Sequence, residues 1–295
     1  MLPLQASPNP VQGSIRCWTR ESPEYPRELL ELAGPPVELF TIGQMTALSA
    51  PRVAIVGTRN STGYGERATR TLTRAFARAG VTVISGMARG IDAAAHRTAL
   101  EETGRTVAVL GTGVDVPYPV GHRELHRAIG QNGLLLSENP PGAKAARGSF
   151  PKRNRIIAAL APVTIVVEAG FRSGALNTAS QALELNRTVA AVPGPIDSEQ
   201  CRGSNQLLRD GAGFIASPDD ALALLGIAPQ RDAAPPPTLP DSEQKVWEAT
   251  AEGCIDTDRL PATTGLPLSE CLAAITSLEI LGLVECTIAG EVRRR

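Results

Sequence analysis

Five cations fall within twelve residues at Lys144, Arg147, Lys152, Arg153 and Arg155, with Phe150 and Asn154 among them. Cations at that density suit a sugar-phosphate backbone, and an aromatic ring in their midst can stack a base. From Lys144 to Leu160 the chain carries no acidic residue, whereas a solvated helix face ordinarily alternates its signs. The run therefore reads as a binding surface for a polyanion ahead of an ordinary charged exterior.

Three glycine-rich turns hold the other candidates. The first, Gly57-Thr-Arg59 followed by Gly63-Tyr-Gly65, comes straight after the apolar run Val53–Val56. Such a turn exposes backbone N–H groups at a helix N-terminus, where an anion is favoured. The spacing is not GxGxxG, and no acidic residue stands about twenty positions on to read a ribose, so a dinucleotide is disfavoured. No GxxxxGK[ST] loop is present either, and no cofactor is expected. Arg59 has two readings: a ligand-facing cation at the carboxyl edge of a sheet, or a tie for the loop behind it.

The second turn, Ser85-Gly86 through Gly90 and Asp92, is built of small residues that admit a ligand or another backbone. His96, four residues after Asp92, is expected to hydrogen-bond to it and order the turn, a reading that outweighs catalysis. The third turn runs from Glu168 to Thr178, and Ser173, Gly174 and Thr178 would offer two hydroxyls and an amide edge at a helix start. Glu168, at the strand tip, faces the same crevice in this reading, either as a general base or as an ion-pair partner of the nearby arginines. Arg67, Arg70, Arg74 and Arg78 recur at helical spacing and read first as a solvated face.

Positioning these turns requires strands. Val53–Val56, Val81–Ile84, Thr106–Leu110, Leu134–Leu136, Val163–Val167 and Thr188–Val192 are short β-branched or apolar runs that alternate with helical patterns. Near-continuous apolar strands with helices between them imply a parallel sheet covered on both faces. The pattern predicts an α/β protein, an extended Rossmann-like fold with a mostly parallel sheet over 49–227. A short N-terminal extension precedes it over 1–48, and a Pro-rich linker follows over 228–240. Residues 241–295 read as three helices and a hairpin, with Ser269 capping the third helix, which is a small C-terminal winged-helix domain.

The whole chain has 295 residues and a formal charge of −1, yet residues 45–226 carry a net +6 and residues 240–295 a net −5. An anionic partner is thus expected for the middle of the chain and not for its end. The five cysteines are scattered, with no CxxC pair, which argues against zinc and against a disulfide framework and suggests a reducing cytoplasm. No apolar stretch reaches the roughly 18 residues of a membrane span, so no membrane insertion is expected. The N-terminus lacks the basic flank and apolar core of an export signal.

In chain order, Gly57-Thr-Arg59, Ser85-Gly86 to Asp92 with His96, Tyr118-Pro119, Ser137-Glu138 and Phe150-Pro-Lys-Arg-Asn-Arg-Ile-Ile157 follow one family pattern. So do Glu168-Ala169, Ser173-Gly174, Pro193-Gly194, Gly203-Ser-Asn205 and Gly211-Ala212. Over roughly residues 22–216 the chain resembles the DprA (DNA-processing protein A) family. The resemblance implies a homodimeric protein that coats incoming single-stranded DNA during natural transformation and helps load the RecA recombinase, without catalysis. It implies phosphate contacts at Arg59 and the cations around Phe150, with Phe150 near a base pocket. Many members also carry a helical domain ahead of the Rossmann part, for which the Pro-rich first 48 residues are too short. The late Rossmann region around Ala212–Leu225, with the apolar helix that offers Leu222, Leu224 and Leu225, is the expected dimer surface. The acidic winged helix should repel phosphate and is expected to contact protein or to regulate. The alternative is a nucleoside-monophosphate phosphoribohydrolase-like enzyme of the same fold. Its turn carries a carboxylate that is absent here, the next acid downstream of Glu168 being Glu184.

Overall fold

Six apolar runs form the centre of one sheet in the computed structural model, which describes residues 14–102, 105–228, 239–251, 255–287 and 290–294. They are β3 (Arg52–Val56), β4 (Thr82–Ser85), β5 (Thr106–Val109), β6 (Leu134–Ser137), β7 (Val163–Val166) and β8 (Thr188–Ala191). Every residue of β4, β5, β6 and β7 is buried, as a parallel sheet with helices on both faces demands. Successive residues of β3 serve opposite faces: Ala54 and Val56 join one apolar cluster, Val53 and Ile55 the other. The first cluster takes in Ile156–Ala161 at the end of α4 (Ser149–Leu160), the second Leu72 and Phe76 of α1 (Gly63–Arg78).

Three further strands lengthen the sheet to nine, in the order β1-β2-β6-β5-β4-β3-β7-β8-β9. The expectation of a separate extension over 1–48 gives way here. Its described part supplies β1 (Arg16–Thr19) and β2 (Glu38–Gly43), both antiparallel, with β2 paired to β6. Tyr25, Leu29, Leu39 and Ile42 from this segment are core residues. Prolines at 35 and 36 and the shortness of β1 disguise that role in the sequence. The two-residue β9 (Gly213–Phe214) lies at the opposite edge.

The connections set the site. From β3 the chain passes through α1 to β4, and later returns through α4 to place β7 on the other side of β3. The carboxyl ends of β3 and β7 are therefore the switch point of the sheet, where open α/β folds bind ligands.

Two expectations concern helices. In α7 (Pro218–Ala223) Leu222 is buried, and Leu224 and Leu225 just beyond it pack on the core of the same chain. Leu224 and Leu225 nevertheless stay half-buried, so part of that face remains open. His96, on α2 (Ile91–Glu102), does not bond to Asp92; its Nδ1 lies 2.7 Å from Thr106 Oγ1 on β5. The Thr106 hydroxyl donates its own hydrogen to the Val83 carbonyl oxygen. His96 must then donate from Nδ1, which fixes its tautomer.

The chain divides into two compact units, Met1–Gln230 and Arg231–Arg295. The second contains α8 (Asp241–Ala249), β10 (Ile255–Asp256), α9 (Leu260–Thr264), α10 (Leu268–Ile280), β11 (Val284–Cys286) and β12 (Glu291–Arg294). Val246, Leu260, Cys271, Ile275, Leu278, Val284 and Val292 make its core, and the strands pair in the order β10-β12-β11. The third helix begins one turn's edge earlier than expected, after Pro267, so Ser269 sits inside it and does not cap it. Among the described residues no helix is long and apolar enough to cross a membrane.

Burial, with Arg153 and His122 adding repulsion, drives the His96 pKa from 6.5 down to about 3. The folded state thus refuses a proton that the unfolded chain takes up. The corresponding stability is complete above pH 6.5 and is lost as pH falls from there toward 3. Between pH 7.5 and 5 this one group should cost the protein about 2 kcal/mol by linkage. A His96→Gln variant lacks the term, so its stability deficit against the parent, read from urea melts, should shrink by that amount over the same interval. An unchanged deficit would show that His96 titrates normally.

Candidate functional site

The first turn is held from below. Where β7 ends, Glu168 is fully buried and accepts hydrogen bonds from the Thr62 backbone N–H (2.9 Å) and from the Thr62 hydroxyl. The Glu168 carbonyl accepts the Thr58 N–H at 2.7 Å. A Cβ on Gly65 would fall 2.2 Å from the Glu168 carboxylate, so only glycine fits at that point of α1. Glu168 thus clamps the start of α1 to the end of β7. It neither faces the crevice nor meets an arginine among its described hydrogen bonds, which corrects both sequence readings.

The cation cluster divides in two. Arg153 is 4% exposed, and its Nη1 donates to the Val109 carbonyl oxygen at 2.5 Å. Asp92 is the anion that offsets it: burial pushes the Asp92 carboxyl up, against the pull of the guanidinium. Burial also lowers Arg153 itself to about 10, with Asp92 opposing. Gly86 leaves the room for this, because a Cβ there would sit 2.0 Å from Arg153 Nη1. Arg153 is therefore a core cation and not an exposed phosphate grip. Ser85 is also internal, its hydroxyl donating to the Ile55 carbonyl at 2.7 Å. Asn154 joins helix starts, its Nδ2 reaching the Gly174 carbonyl (3.3 Å) and Asn177 Oδ1 (3.2 Å) at the head of α5 (Gly174–Glu184).

Arg155 turns inward as well, bonding Glu138 Oε2 at 2.5 Å and the Gly34 carbonyl at 2.9 Å. Lys152 shares Glu138 at 3.2 Å but keeps most of its side chain in solvent. Lys144 and Arg147 are exposed on the loop that leads into α4. The acids that answer the cluster, Asp92 and Glu138, are distant in sequence, and the local absence of acids concealed them.

At the switch point a cleft of about 740 Å³ opens. Of the residues singled out from the sequence it gathers Arg59, Phe150, Arg153, Asn154, Ser173, Gly174 and Thr178 along its lining. Ser85, Gly86, Lys144, Arg147, Lys152 and Arg155 lie outside that lining, and Thr178 is almost wholly buried. At one lip the Arg59 guanidinium sits 5.5 Å from the Phe150 ring centroid, a cation–π distance. The Tyr118 ring backs Phe150 at 5.1 Å and 33°. Near the floor, the Ser173 side chain caps α5 by accepting from the Ala175 N–H at 3.3 Å, so the first turn of a helix borders the cleft, a setting that favours anions. Phe171, Arg172 and Arg202 also line it. The sequence reading passed over them; Phe171-Arg172, placed between a strand end and a helix cap, was the available signal. The arrangement offers cations, a helix N-terminus and flat aromatic faces to one extended ligand.

A family model for DNA recombination-mediator protein A matches residues 16–226, and one for the DprA winged helix domain matches residues 230–287. Protein Smf of Synechocystis is 37% identical to the chain over an alignment spanning 99% of this chain and 83% of that protein. The X-ray structure of DNA processing protein A from Streptococcus pneumoniae superposes with a TM-score of 0.69 at 39% identity, covering 72% of this chain and 75% of that one. A solved structure of DNA processing protein A from Helicobacter pylori, described for its single-stranded DNA binding mode, gives 0.67 at 30% identity, covering 73% and 97%. A match over most of the sheet domain, a second over the winged helix and this level of identity have one meaning: the chain belongs to the DprA family.

Proposed function

We propose that the chain binds single-stranded DNA through the switch-point cleft, without acting on it chemically. We assign it the family's cytoplasmic role, protecting incoming DNA in natural transformation and helping to load RecA. The observation that carries the reading is the Arg59–Phe150–Tyr118 stack at the lip of the cleft. A ring backed by a second ring is a platform for any base, since every base has a π-face. Arg59, exposed beside it, meets the flanking phosphate. The Helicobacter relative, whose structure describes single-stranded DNA binding, supports the same assignment.

The other contacts are assigned by access. Ser173 and Gly174 meet the strand inside the cleft, and Lys144, Arg147 and Lys152 meet its phosphates on the approach to α4. Ser85, Gly86, Arg153, Asn154, Arg155 and Thr178 hold the walls. Glycosidic cleavage would need a carboxylate at the sugar; Glu168 is buried under α1, and of the two acids on the lining, Asp92 is buried, accepts the Ala88 N–H and offsets Arg153, while Glu199 stands on the rim beside Arg202. Homodimerisation belongs to the same reading. The surface we assign to it is the late part of the domain around Ala212–Leu225, where the edge strand β9 carries Phe214, 60% exposed, and Leu224 and Leu225 are half-buried.

Fluorescence anisotropy with labelled oligonucleotides at several salt concentrations tests the cleft. Arg59→Ala should weaken binding to all sequences alike and flatten the log–log salt slope by about 0.7, one phosphate's share. Phe150→Ala should cost about 1–3 kcal/mol with the slope nearly intact. Wild-type affinity and slope in a folded Arg59→Ala protein would eliminate the site, and release of base from a nucleotide by the parent would favour the hydrolase. For assembly, Phe214→Asp should convert a dimer to a monomer in light scattering, and a dimer that survives the change is built elsewhere.

A further inference from the structure

Phe171 is 74% exposed on the lining of the cleft, so folding has no use for its ring. The turn that presents it is closed by its backbone, with the Ser173 N–H donating to the Gly170 carbonyl at 3.0 Å. Phe171 and Arg172 occupy the two central positions and must point away from the chain. Arg172 and Arg202 are exposed on the same rim, and neither forms an ion pair among the described residues. Glu199 lies there too, which leaves two cations to one anion.

The sheet order separates this ring from Phe150. Phe150 packs over Gly111, just past β5, where a Cβ would come within 2.9 Å of it. Phe171 follows β7, three strands along the edge. At about 4.8 Å per strand, the strand ends they follow are about 14 Å apart, so the two rings rise from different parts of the lining.

We propose that Phe171, Arg172 and Arg202 form a second stacking platform, which takes a different base of the same strand and its phosphate. The proposal rests on the single-stranded DNA reading of the cleft. The capped start of α5 lies beside the turn and favours a phosphate there. A strand so held is gripped at two bases, one at each end of the cleft.

The test uses the full chain and a short labelled oligo(dT). Phe171→Ala should weaken binding about tenfold or more with little change in salt slope, while Arg202→Ala should flatten the slope. Phe171→Trp should keep near-parental affinity, and its added emission, taken as the difference from the parent with Trp18 and Trp247, should be quenched on binding. Parental affinity in Phe171→Ala overturns the platform, as does a tryptophan at 171 whose emission ignores DNA. If Phe171→Ala instead changes the mass in light scattering and leaves affinity intact, the ring serves a protein contact and the proposal fails. A parent that binds no single-stranded DNA removes both readings, whereas weakening by Arg59→Ala without weakening by Phe171→Ala removes only this one.

Discussion

The buried guanidinium of Arg153 is the interaction on which the rest of the site depends. It enters from the first turns of α4, passes beneath Gly86 and ends on the Val109 carbonyl, with Asp92 as its counter-charge. Removing one partner from such a buried pair typically costs 3–5 kcal/mol, because the other charge is left without compensation. The geometric consequence matters more than the energy. Three residues ahead of Arg153 on the same helix is Phe150, and fixing the guanidinium under the ends of β4 and β5 fixes where that ring meets Arg59. The exposed stack is the outer end of a buried guanidinium and the carboxylate that offsets it.

A second tie works from the other side. Glu168 fastens the start of α1 to the end of β7, and the Thr58 N–H is held by its carbonyl. Arg59 therefore rises from a loop fixed at both ends of the switch point. Asn154 completes the frame by joining α4 to α5. Such a frame leaves little for a ligand to order, and binding that does not spend free energy on ordering loops keeps it for affinity.

Much of this was legible in the chain. The β-branched runs became the six central strands, since fully covered parallel strands need apolar residues at every position. The winged-helix pattern emerged with its hairpin. Residue types at the site were legible too, but their roles were not. Arg153 and Arg155 look like their neighbours in sequence; only the fold brings Asp92 and Glu138 to them and takes them out of solvent. Glu168 looked like a reagent because strand tips usually face the crevice, yet Gly65 gives it a dry seat under α1. The strands β1 and β9 escaped because short edge strands bury too few residues to leave a pattern, and β2 because Pro35 and Pro36 lead into it.

The turn that closes from Gly170 to Ser173 has a different consequence. Its shape is set by a backbone bond and by the helix cap that follows, so the two residues at its crest are anchored without being packed. Substitution there carries almost no folding penalty, in contrast to Gly86, Asp92 and Arg153, of which none can change alone. Lineages can therefore alter the chemistry of one end of the cleft while inheriting the other end intact. The crest of that turn is where the preferences of such a protein can drift fastest.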